Sequence, residues 1–240
     1  MILGLLVGGV LSGRALIRAA ELRAITTEYS RYVAAVQTFR EKYFALPGDM
    51  PNAFRFWGAT CGTDTTTIIT GCNGNGDGFI YSGDIGEHVK AWEHLSRAGL
   101  ISGSYDGTGT LNASNCVLLT EQNSLKSRFP KAIWGFYNVY CMQAIDAVPF
   151  GKEFDFATMS PGNYMQIGEV GGQVDINSFG SLSNDEAWSI DAKVDDGNSC
   201  TGFLRGQGDD DFNCSSPPSG PDSWRALWNG SANLITFIMR

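Results

Sequence analysis

The first thirteen residues, MILGLLVGGVLSG, are apolar or small all round, and no charge interrupts them until Arg14 and Arg18. From Gly13 to about Phe44 there is neither proline nor a further glycine, and a different pattern takes over. Apolar residues recur at Leu22, Ile25, Tyr29, Tyr32/Val33, Val36, Phe39 and Tyr43, with Arg23, Glu28, Arg31, Arg40 and Lys42 mainly between them. Spacings of three and four are the helical period, so residues 1–45 are predicted to form one helix, apolar first and amphipathic later. Such a helix would reach about 65 Å, longer than a small domain is wide, and its first half must find partners outside its own domain.

ALPGDMPNA (45–53) should end that helix, because Pro47 and Pro51 cannot continue it and Gly48-Asp49 favours a turn. Beyond it the period keeps changing. Residues 85–100 predict a short amphipathic helix with Ile85, Val89, Trp92 and Leu95 on one face, a Glu93–Arg97 pair and a stop at Gly99. KAIWGFYNVYC (131–141), YMQIGEV (164–170) and NLITFIM (233–239) predict strands. Residues 183–197 predict a helix opened by the capping box Ser183-x-x-Glu186. The expected fold class is therefore α+β: a long N-terminal helix (1–45) packed on a head (46–240) with a small antiparallel sheet and short helices.

Charge divides the chain along the same line. Residues 1–45 carry six basic and three acidic side chains, a balance of +3, so the rest carries −11 within a total of −8. An acidic head argues against nucleic acid as a partner, since phosphate binding depends on Lys and Arg. The six cysteines, Cys61, Cys72, Cys116, Cys141, Cys200 and Cys214, avoid C-x-x-C spacing and point to disulfides made in an oxidising compartment. Sequence leaves fifteen pairings open; short loops favour Cys61–Cys72 and Cys200–Cys214, leaving Cys116 with Cys141.

CNGNGDGFIYSGD (72–84) has the spacing of a calcium loop. Asn73, Asn75 and Asp77 would supply alternate oxygens, Phe79 a carbonyl, and Asp84 or, through a longer arc, Glu87 the closing carboxylate. Few carboxylates imply weak affinity, suited to millimolar extracellular calcium. A plain disulfide-anchored turn is the competing reading.

No catalytic set accompanies these features. His88 and His94, six residues apart on one helix, diverge by about 120° and cannot share a metal. H-E-x-x-H, G-x-S-x-G and phosphate-binding lysine motifs are absent. The acidic run within 206–213 reads as a solvated loop, and Asp195-Asp196 as local caps. The expectation is a non-enzymatic protein.

In its N-terminal wording, ILGLLVGGVLSGRALIRAAELR followed by FREKYFALPGDMPNA, the chain resembles type IV pilins and type II secretion pseudopilins. AWEHLSRAGLISG and IDAKVDDGNSCTG are similar to head segments of pilin-like proteins. Members of that family begin with a basic leader, a cleavage-site glycine and an early glutamate, none of which precedes Met1; about ten mature residues are expected to be missing.

The resemblance implies a subunit held in the inner membrane with a periplasmic head. A prepilin peptidase and an assembly platform would be its partners. It would assemble into an extracellular pilus or a periplasmic pseudopilus, a homo-oligomeric filament with helices inside. Leu3, Gly4, Leu5, Leu6, Val7, Gly8, Gly9, Val10 and Leu11 would form the membrane and filament segment, their glycines allowing close helix approach. The alternative is a minor pilin or tip adhesin whose head recognises a surface or a secreted substrate.

Overall fold

The computed structural model describes residues 2–66, 70–80, 85–109, 123–138, 162–169, 182–206 and 235–239. Helix α1 (Ile2–Tyr43) is one uninterrupted helix of 42 residues. It stops where Phe44 turns left-handed (φ 56°) and returns its N–H to the Arg40 carbonyl at 2.9 Å, ahead of the Pro47 turn. Two short pieces unseen in the sequence pattern follow: α2 (Ala53–Trp57) and a 3-10 turn at Gly58–Thr60. Their brevity leaves no period to read.

Helix α3 (Glu87–Arg97) ends in a Schellman arrangement, with Gly99 at φ 73°, its N–H on the Ser96 carbonyl, and the Leu100 N–H on the Leu95 carbonyl. Helix α4 (Asn184–Val194) opens with the expected capping box. Ser183 accepts from the Glu186 N–H, and Glu186 accepts from the Ser183 N–H at 2.9 Å. The five strands are β1 (Leu125–Lys126), β2 (Ala132–Asn138), β3 (Asn163–Glu169), β4 (Leu204–Gly206) and β5 (Ile235–Met239). They form one antiparallel sheet in the order β1-β2-β3-β5-β4. The mixed α+β architecture with a long leading helix thus holds. β1 and β4 are too short for alternation to reveal them.

The core forms where the later half of α1 meets the head. Ile25, Tyr32, Ala35, Val36 and Phe39, at helical spacing, are buried in one cluster with residues from α3, α4 and the sheet. Tyr32 meets Trp92 and Trp134 edge-on, with ring centroids at 5.8 and 5.7 Å. Register places Trp134 opposite Ile167 and Phe136 opposite Met165, so these four apolar side chains share the sheet face that receives the helices.

Two polar contacts fix the helix on this surface. Buried Glu28 accepts from the Ser127 hydroxyl (2.6 Å), the Arg128 N–H (2.8 Å) and Trp134 Nε1 (2.8 Å). Nearer the N-terminus, Arg18 donates to Glu186 on α4 and lies 4.5 Å above the Phe129 ring.

Candidate functional site

Above Arg18 the apolar side chains of α1 lose their partners among the described residues. Leu6, Val7, Val10, Leu11, Leu16 and Ile17 are each 53–72% exposed. A Cβ built on Gly8, Gly9 or Gly13 would meet nothing within 4 Å. Glycine in a helix interior costs about 1 kcal/mol relative to alanine, and nothing among the described residues requires it at those three positions. Among the described residues, no helix is long and apolar enough to cross a membrane.

A second feature lies in the head, around the loop 72–80. Its base is the Cys61–Cys72 disulfide, one of the two short pairings favoured from sequence. Cys200 is disulfide-bonded as well, while Cys116, Cys141 and Cys214 lie outside the described residues. Behind the disulfide, wholly buried His94 ties the loop to the turn after α1. Its Nδ1 accepts from the Gly48 N–H at 2.9 Å, so its Nε2 carries the proton and donates to the Cys72 carbonyl at 2.9 Å. Burial lowers its pKa to about 4, which keeps the ring neutral in that tautomer. Cys61 and Cys72 stand near His94, but their sulfurs are spent in the disulfide and do not form a metal set.

Gly48 is required here. Its φ is 84°, and a Cβ would fall 2.1 Å from the Glu87 carbonyl oxygen. This close approach delivers the next residue, Asp49, into the loop. One Asp49 oxygen accepts from the N–H groups of Gly76 (2.6 Å) and Asp77 (3.0 Å), the other from Gly78 (2.9 Å). The loop is therefore folded around a carboxylate from 27 residues upstream. Burial raises the pKa of Asp49, and the three N–H bonds oppose the rise.

The expected calcium ligands divide between two jobs. Asn73 is committed elsewhere: its oxygen accepts from the Phe54 N–H, and its amide donates to Asp64 at 2.7 Å. Asn75 and Asp77 shape the loop as successive Asx turns, Asn75 accepting from the Asp77 N–H and Asp77 from the Phe79 N–H. Asp84 lies outside the described residues. Glu87, the first residue of α3, is buried and accepts from the Asn75 N–H at 2.7 Å.

Asp49, Asp77 and Glu87 each bring a carboxylate oxygen within 4.8 Å of the others. Three crowded carboxylates and neighbouring amide oxygens are a hard, all-oxygen donor set, which fits Ca2+ by donor type. The second Asp49 oxygen, with a single hydrogen bond, retains a lone pair for such an ion.

Sequence reasoning missed Asp49, because a carboxylate far upstream of the loop leaves no local spacing signal. It also missed Lys90. That buried ammonium donates to the carbonyls of Thr66 (2.9 Å) and Asn73 (3.0 Å). Burial lowers its pKa to about 8, against the opposing pull of Glu87 and Glu93.

The chain matches no protein-family model, no curated protein and no solved structure.

Proposed function

We propose that this chain is a non-enzymatic structural subunit of a type IV pilus or pseudopilus filament. Its N-terminal helix packs in the filament core and its head is exposed. One observation carries the reading: among the described residues, the N-terminal third of α1 presents an unpartnered apolar ridge with glycines that no contact demands. Apolar surface of this extent calls for an occupant. Glycines make sense where another helix approaches closely, whether in lipid or in a bundle.

In this reading the subunit first sits in the inner membrane, where a prepilin peptidase and an assembly platform act on it. It then joins other copies in a filament outside the cytoplasm. Its head holds a calcium ion through Asp49, Asp77 and Glu87, with the ion neutralising their mutual repulsion.

A minor or tip subunit with a recognition head is the second reading. What favours it is the pair Phe44 and Phe56, 93% and 55% exposed at the far end of α1. Immunogold labelling of producing cells separates the two. Label along filaments supports the shaft subunit, and label confined to tips supports the recognition module. Producing cells whose filaments carry no label would sink both.

A further inference from the structure

Where α1 enters the head, it forms one wall of an open groove of about 850 Å³. Small side chains, Ala19, Ala20 and Ala24, leave room along the helix. The loop from Ile101 to Tyr105 and the β1 region close the other side. Arg23 and Arg31 project from α1, and Lys126 and Arg128 from β1 and the turn after it; all four are exposed. Among the described lining residues Glu28 is the only carboxylate, and its oxygens are already engaged by Ser127, Arg128 and Trp134. Arg23, Arg31 and Arg128 form no ion pair among the described residues. A cationic groove thus sits on a chain whose net charge is −8.

We infer that this groove is the docking site for the acidic head of a second copy of the chain. The inference rests on the filament reading and gives that filament a specific contact. Charge complementarity selects the occupant: residues 1–45 carry +3 and the remainder −11, so stalk against head attracts although whole copies repel. The contact joins two different surfaces, and a heterologous contact of this kind propagates into an open chain of subunits. The groove begins at Leu16, continuous with the exposed apolar ridge, so one neighbour can cover both.

Anionic lipid fits the geometry less well. Arg31 lies 14 residues beyond Ile17, the last of the exposed large apolar side chains on α1 among the described residues. That is about 21 Å along the helix, whereas the polar layer of a bilayer is about 5–8 Å deep on each side.

The test is self-association of the full chain in non-ionic detergent, followed by sedimentation velocity from low to high NaCl. Wild type should associate at low salt and dissociate as salt rises. The double variant Arg23→Glu/Arg31→Glu should associate about tenfold more weakly and lose most of its salt dependence. Arg128→Glu, on the opposite wall, should weaken association in the same direction, and Arg23→Gln/Arg31→Gln should fall between. Circular-dichroism melts identify any variant that fails to fold; the remaining variants then decide the outcome. Wild-type association that the folded variants leave unchanged overturns the groove and spares the filament reading. A wild-type chain that stays monomeric at every salt concentration overturns both. Reversal that abolishes binding to phosphatidylglycerol vesicles while self-association persists would make the groove a lipid site, overturning the proposal.

Discussion

Arg18 of α1 holds Glu186 of α4 through two parallel bonds, Nε to Oε1 at 2.5 Å and Nη2 to Oε2 at 2.8 Å. The pair marks the point where α1 leaves the head, and the same carboxylate completes the capping box of α4. Glu186→Gln should retain the cap and lose the ion pair, costing about 0.5–1 kcal/mol because both groups are partly exposed. Glu186→Ala removes both, at about 1–2 kcal/mol in urea unfolding. Burial raises the Glu186 pKa, but the Arg18 and Ser183 bonds outweigh it and the net shift is downward. The stabilisation is therefore present above the ordinary carboxylate pKa and lost as pH falls through the depressed value. Equal melts for the two variants would show that the cap contributes nothing.

Glu28→Ala should be the more damaging change. It leaves the buried indole N–H of Trp134 without its acceptor and also strips one from Ser127 and Arg128. The expected loss is about 3–5 kcal/mol. Trp134 fluorescence should report the change even in the folded protein, and a variant as stable as wild type would refute this account of how α1 is seated.

His94 makes the head acid-sensitive. Burial holds its folded pKa at about 4, below the ordinary histidine value of 6.5. Below pH 6.5 the unfolded chain takes up the proton first. Stability should fall as pH drops from about 6.5 to 4, by up to about 3 kcal/mol. Protonating Nδ1 also destroys its bond from the Gly48 N–H. His94→Gln should lower stability at pH 7 and flatten the slope between pH 6.5 and 4; an unaltered slope would assign it to the carboxylates.

The carboxylates of Asp49, Asp77 and Glu87 yield a metal test. Thermal melts of the full chain should shift upward in millimolar CaCl2 relative to chelator, by about 2.7 kcal/mol at a hundred times the Kd. Asp77→Ala should erase the difference. Asp49→Asn should erase it too and also loosen the loop, whose Gly76, Asp77 and Gly78 N–H groups it anchors. Identical melts with calcium and chelator would leave the loop a turn built on Asp49.

The Cys61–Cys72 bridge closes a loop with a sequence separation of 11. Replacing both cysteines by serine should cost about 3 kcal/mol in the chain-entropy model. It should also weaken the His94 brace, since Cys72 supplies the accepting carbonyl. If the His94→Gln penalty is as large without the bridge as with it, the two supports are independent.

Local periodicity and capping chemistry made much of the fold legible. The length of α1, the stop at Gly99, the capping box at Ser183 and Glu186, and the strands at 132–138 and 163–169 all follow from signals within a few residues. β1 and β4 escaped notice because two or three residues carry no alternation. The loop at 72–80 was recognisable as a chain of turn-forming Asn, Gly and Asp, yet its organising carboxylate was not.

What the sequence by itself determined is the division of labour: an apolar and then amphipathic helix, an acidic cysteine-bearing head, and the local start and stop of each main element. These depend on short-range sterics and on the period of burial, both written in consecutive residues. Only the tertiary structure decided that Asp49 enters a loop far along the chain, that Glu28 carries three hydrogen bonds inside the core, and that Arg23, Arg31, Lys126 and Arg128 line one groove. Those juxtapositions come from packing α1 against the sheet and α3, and contacts between residues distant in the chain leave no trace in local spacing.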